Sequence, residues 1–230
     1  MAHSASKRRS RSGTAFDPKK PHTPSNDPYL GLESVHHFDQ VIISAMAEQH
    51  RIGPWTRRHQ LTPLQRAVSQ LMPSACSIAL SIREMVRQGY LLSALILTRP
   101  LLERVSTVVF LMQHPEAVKL WNDGWPHNSR PSIRKRLDAV LGRANGRPDR
   151  PTTEELQVVI DRYNSLVHGD PAAALHGAIL LDDGRPGYTV GKDLKSPGGA
   201  DEICWETGMW LVILETCGRS IFRATEDSTN

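Results

Sequence analysis

The chain has 230 residues, enough to bury a core in one domain without disulfides or a structural metal. Its formal net charge is +4, and residues 1–27 carry all of it: Lys7, Arg8, Arg9, Arg11, Lys19 and Lys20 stand against Asp17 and Asp27, leaving 22 basic and 22 acidic residues elsewhere. The basic balance of the whole chain is therefore no argument for nucleic-acid binding by its body, and the three cysteines, Cys76, Cys204 and Cys217, read as reduced core thiols of a cytosolic protein rather than a disulfide framework or metal set.

Residues 1–28 form the first segment, rich in Ser, Pro, Lys and Arg with Phe16 as its one aromatic before Tyr29. Such a composition buries too little apolar surface to offset the entropy of ordering, so it predicts a disordered basic tail. The run KRRSRS offers contacts to RNA, DNA or an acidic partner; a solubilising leader is the plainer reading. No apolar run follows the basic residues, so no signal peptide is expected.

The body, residues 29–224, opens with a helical pattern from Leu30 to His50 carried by Val35, Phe38, Val41, Ile42, Ala45 and Met46. Gly53-Pro54 is expected to end it. A second pattern runs from Thr62 to Gln88, with Leu64, Val68, Leu71, Ala75, Ile78, Ile82 and Met85 as one stripe. Thr62 suits the N-cap and Pro63 the first helical position, while Pro73 should kink or split the helix. Tyr90 to Gln113 is apolar nearly all round, which predicts a central helix. Arg99, Glu103 and Arg104 interrupt it, so its uncharged pieces are too short for a membrane span.

Pro115 opens a short helical segment through Trp121, and Asn122 to Pro131 reads as a loop. Ser132 to Leu141 predicts a basic helix with Ile133, Leu137, Val140 and Leu141 inward; Gly142 to Pro151 is a basic loop. Thr152 and Glu155 spell a capping box for a helix through Val167, with Leu156, Val159, Ile160, Tyr163 and Val167 as its apolar face. Residues 177–191 look like a small β-hairpin. Pro197 to Ala200 reads as a loop before a last helix, Glu202 to Arg223, whose stripe is Ile203, Trp210, Leu214, Cys217 and Ile221. Residues 225–230 are a polar tail. The fold class that follows is all-α: an irregular bundle of about six helices with one small hairpin.

Three groups carry candidate chemistry. The first is Arg162-Tyr-Asn-Ser-Leu-Val-His168. An Arg, a short spacer containing a polar residue (here Asn164) and a His near a helix end resemble the motif of HEPN domains, which are helical bundles. The blocks SALILTRPLLERVSTVVFLMQHPE and YNSLVHGDP are also similar to a family of uncharacterised bacterial helical proteins, over roughly residues 35 to 220. The resemblance implies a metal-independent endoribonuclease without cofactor, in which an RNA 2′-hydroxyl attacks the adjacent phosphate. His168 would transfer protons, Arg162 clamp phosphate oxygens, and Asn164 orient the imidazole or the phosphate. It further implies a homodimer, and a setting in toxin or antiviral defence systems with RNA or an antitoxin as partner. Helix geometry adds a condition: Arg162 and His168 are six residues apart, about 120° and 9 Å on an ideal helix. They share one site only if His168 lies past the last turn or two protomers meet. Asn164 and His168, at i and i+4, share a face. Without catalysis, the same residues would finish a helix in a scaffold or regulatory module that binds a protein.

The second group is Arg99 with Glu103, four apart on the most apolar helix. It predicts a buried polar network, joined by Arg83 or Glu84, or a support for the His168 site. The third is the basic stretch of Arg130, Arg134, Lys135, Arg136, Arg143 and Arg147, with Arg150 beyond it, a candidate phosphate-backbone surface or simply a solvated helix and loop. His36-His37 and the pair His168 and His176 lack metal-ligand spacing, and no Gly-rich phosphate loop or Gly-x-Ser-x-Gly elbow occurs.

Overall fold

The computed structural model describes residues 22–126, 128–142, 152–168, 178–180, 184–188, 193 and 196–223. They are overwhelmingly helical. A 3-10 turn at Pro24–Asn26 precedes α1 (Glu33–Arg58), α2 (Pro63–Arg87), α3 (Leu91–Gln113), α4 (Pro115–Asn122), α5 (Ile133–Gly142), α6 (Thr153–His168) and α7 (Pro197–Arg223). The hairpin expected over 177–191 falls partly outside the described residues; within it, Ala178–Leu180 and Pro186–Tyr188 pair antiparallel, Ile179 opposite Gly187. No helix among the described residues is long and apolar enough to cross a membrane.

The core is built by α1, α2, α3 and α7. α1 packs along α7, α2 along α3, and α3 also meets α7, α5 and α6. The central place expected for α3 follows from its composition: Leu101, Leu102, Val105, Val108, Val109 and Leu111 are all buried, and along its second half solvent reaches mainly Glu103, Arg104 and the last residues. α4, α5 and α6 cover the remaining sides.

Local signals set most boundaries. Thr62 Oγ1 accepts the Gln65 N–H at 3.2 Å and Gln65 Oε1 accepts the Thr62 N–H at 3.0 Å, a reciprocal cap with Pro63 at the first helical position. Thr152 and Glu155 repeat this at the start of α6. Gly89, at φ +79°, turns α2 into α3: its N–H bonds Val86 O and the Tyr90 N–H bonds Met85 O, a Schellman closure that requires the left-handed residue.

Four expectations are corrected. Gly53-Pro54 does not end α1. Proline there removes one backbone bond, but Ile52 is buried and Trp55 meets Phe222 of α7 edge-on at 5.4 Å, so packing carries the helix through. Pro73 leaves α2 unsplit for the same reason, with Leu71, Met72, Ala75 and Cys76 all buried around it. Pro197 to Ala200 is the first turn of α7 rather than a loop; Ser196 O accepts the Ala200 N–H at 3.2 Å and Pro197 occupies the first helical position. Residues 22–28, assigned to the tail by composition, lie against α2. Asp27 is buried and ion-paired to Arg83 at 2.6 Å, and the His22 backbone exchanges two bonds with the Gln88 amide. The rest of the basic tail, residues 1–21, lies outside the described residues.

Candidate functional site

α6 presents the motif residues on different sides. Its buried stripe is Leu156, Ile160, Tyr163 and Leu166, whereas Val159 and Val167, expected inward, are exposed. Tyr163 fixes the rotation: its ring is buried and its hydroxyl donates to Glu206 of α7. Burial, and then the Glu206 charge, push the phenol far above its ordinary range, so it stays a neutral donor. With Tyr163 inward, Arg162 faces α7, where its Nη2 lies 2.8 Å from Glu202. Asn164 faces α3, where its Oδ1 accepts from Arg99 Nη1 at 2.8 Å. His168 stands exposed one turn beyond Asn164, about 6 Å along the axis. The structure thus does not bring Arg162 and His168 into one intrachain site. It ties the Asn164–His168 face to α3 instead.

The Asn164 contact opens into a polar network centred on Glu103. Arg99 Nε donates to Glu103 Oε1 at 3.1 Å, Arg130 Nη2 to Oε2 at 3.3 Å, and Arg136 Nη2 lies 4.0 Å from Oε1. Arg136 Nη1 also donates to the Glu103 carbonyl at 3.1 Å and to Thr107 Oγ1 at 2.8 Å. The expected network around Arg99 and Glu103 exists, but its partners differ. Arg83 pairs with Asp27 and Asp39, and Glu84 with Arg87 and Gln88. A single-helix reading sees only i, i+4 neighbours; Arg130, Arg136 and Asn164 arrive through the fold.

The basic stretch divides. Arg130, Arg134 and Lys135 are exposed, Arg143 and Arg147 lie outside the described residues, and Arg136 is only 4% exposed. Arg136 is therefore not part of an outward basic surface. The helix phase held this signal: Ile133, Arg136, Leu137 and Val140 are spaced i, i+3, i+4 and i+7, so Arg136 sits inside the apolar stripe. Burial, opposed by Glu103 and reinforced by Arg130 and Arg99, lowers the Arg136 guanidinium to about 10.

Between α2, α3, α4 and α5 this network lines a polar cleft of about 310 Å³, walled by Gln70, Ser74, Arg104, Trp121, Arg130 and Arg136. Sequence reading missed it because its walls come from four helices. A second, apolar cleft of about 530 Å³ lies among α5, α6 and α7, with Leu137, Leu141, Leu156, Val159 and Met209 on its walls. Cys76, Cys204 and Cys217 are buried and form no disulfide.

A family of unknown function (DUF5677) matches residues 65–140. The match runs from the first turn of α2 into α5 and contains every residue of the polar cleft, together with Arg99 and Glu103. It stops short of α6 and the Arg162–His168 motif. No match was found among curated proteins or among solved structures.

Proposed function

We propose that the chain is a HEPN-like, metal-independent endoribonuclease, with Asn164 and His168 on the working face of α6. The observation that carries this reading is the Arg99–Asn164 hydrogen bond. It couples the face bearing the exposed His168 to a group of guanidiniums, the combination of a proton-transfer group and fixed cations that phosphodiester cleavage needs. In the reaction the RNA 2′-oxygen bonds to phosphorus, the bond to the 5′-oxygen breaks, and a 2′,3′-cyclic phosphate and a 5′-hydroxyl result. One imidazole accepts the 2′-hydroxyl proton and a second donates to the departing oxygen. Two His168 side chains meet that need when two protomers pair. The same pairing gives Arg162 of one protomer access to a phosphate held by the other, in exchange for Glu202. Such an activity suits a toxin or antiviral defence system, with an antitoxin as partner.

The test is cleavage of a labelled RNA by the purified chain in the presence of a chelator, with growth of expressing cells as a second readout. The wild type should cut and arrest growth, His168→Ala should lose both, and Asn164→Ala and Arg99→Ala should be impaired. Arg162→Ala assigns the clamp: lost cleavage gives it to Arg162, retained cleavage to Arg99. RNA left equally intact by wild type and His168→Ala would sink the proposal.

A second reading, a non-catalytic interaction module, is favoured by the apolar cleft among α5, α6 and α7, on whose walls Val159 and Met209 are exposed. Met209→Lys should then abolish association, measured by light scattering, while leaving the helical fold intact.

A further inference from the structure

The polar cleft holds more positive than negative charge. Among the described residues on its lining, three guanidiniums, those of Arg104, Arg130 and Arg136, stand with one carboxylate, Glu103, which is also paired with Arg99. Among the described residues the acceptors of Arg104 are neutral, Ser74 Oγ at 2.6 Å and the Pro100 carbonyl at 2.9 Å. Arg136 is 4% exposed, and its Nε has no hydrogen-bond partner among the described residues. A buried cation is costly unless closely paired, yet the carboxylate paired with Arg136 among the described residues is 4.0 Å away and shared with Arg99 and Arg130. Among the described residues the lining thus carries a net charge of +2, three guanidiniums against one carboxylate. A planar guanidinium set of this kind suits an oxyanion with several acceptor oxygens.

We infer that this cleft binds the phosphate group of a small phosphorylated molecule, of about the size of a nucleoside monophosphate. Arg104 of α3 and Arg130 of the segment before α5 hold the phosphate, with Arg136 on the same lining and Ser74 and Gln70 as neutral donors. The volume of about 310 Å³ lies at the low end for small-ligand pockets, which run from about 300 Å³ upward. Trp121 supplies an aromatic wall for the part of the ligand beyond the phosphate. Every residue named here falls within the family-matched segment, whereas Asn164 and His168 do not. The lining uses neither Asn164 nor His168, so phosphate binding there can be measured apart from the proposed RNA cleavage.

Isothermal titration calorimetry on the full chain tests this, with adenosine monophosphate, inorganic phosphate, adenosine and a short oligoribonucleotide as probes. The monophosphate and inorganic phosphate should bind and adenosine should not. Arg104→Gln and Arg130→Gln should each weaken binding about tenfold or more with the melting temperature unchanged; these two carry the test because Arg136 is buried and packs in the core as well as on the cleft. Arg134→Gln, on the outer side of α5, and His168→Ala should bind as wild type does. Four results would overturn the inference: no binding of either phosphate probe at millimolar concentration, equal binding of adenosine, affinities unchanged by both cleft substitutions, or binding of the oligoribonucleotide alone. Lost RNA cleavage with intact phosphate binding, or the reverse, separates the two proposals.

Discussion

Two buried arginines invite comparison. Arg83 and Arg136 are both about 5% exposed or less, each on the inward face of its helix and each with one nitrogen lacking a partner among the described residues. Their charge surroundings are opposite. Arg83 donates to two carboxylates, Asp27 at 2.6 Å and Asp39 at 2.6 and 3.1 Å. Although burial disfavours its charge, those bonds raise the guanidinium above its ordinary value, while Arg136 falls to about 10. One site is closed and holds the segment before α1 to α2. The other shares a single carboxylate among several cations and opens on a cleft. A buried arginine therefore signals a ligand only when its counter-charge is short.

The largest effect should come from breaking the closed site. Asp27→Asn removes the fully buried one of the two Arg83 carboxylates, leaving Asp39 alone, and should cost about 3 kcal/mol in urea denaturation; a cost below about 1 kcal/mol would show that solvent reaches Arg83. Glu103→Gln should cost less, about 2–3 kcal/mol, because its side chain is 27% exposed. The sharper readout is rescue: phosphate should raise the melting temperature of Glu103→Gln by more than that of the wild type, and that of Asp27→Asn only by the wild-type amount. Equal rescue of both would erase the distinction. Arg136→Met should be milder still, about 1 kcal/mol or less, since it removes a poorly compensated charge while keeping much of the volume. Destabilisation matching Asp27→Asn would make the two arginines equivalent.

The smallest change concerns Cys204, whose surroundings include Arg83, Asp39 and Asp27. Burial above all pushes its thiol up to about 12, and that of Cys76 up to about 11. These groups are neutral below pH 9 in both folded and unfolded chains, so stability at neutral pH does not depend on their titration. Above pH 9 the unfolded chain ionises first, and stability should decline through the folded values. Iodoacetamide at pH 8 should label both thiols only after denaturation; native labelling of Cys204 would show the region around Arg83 to be open.

The helices were legible where one stretch of chain decides. The Thr62 and Thr152 caps and the all-round apolarity of α3 need no distant partner to be read. Pro54 misled because its penalty is local while its compensation, Trp55 on Phe222, spans the molecule. Ser196-Pro197 did carry a start signal, but the two following glycines hid it. Arg136 was read with its charged neighbours because counting charge along a stretch ignores helix phase. Asp27 and Asn164 were placed in sequence, yet nothing local indicates Arg83 or Arg99 as their partners. The candidate site is thus the least legible part: its contacts join α3, α5 and α6, and only folding brings them together.

The pairing of α1 with α7 has a consequence for synthesis. Ribosomes add about 5–20 residues each second, so the apolar stripe of α1, with Phe38 and Val35 wholly covered in the finished fold, emerges well before the helix that covers it. During that interval α1 is a sticky amphipathic segment with no native cover. Chains halted before Pro197 should be captured by chaperones or aggregate, and the final folding step must await the last helix.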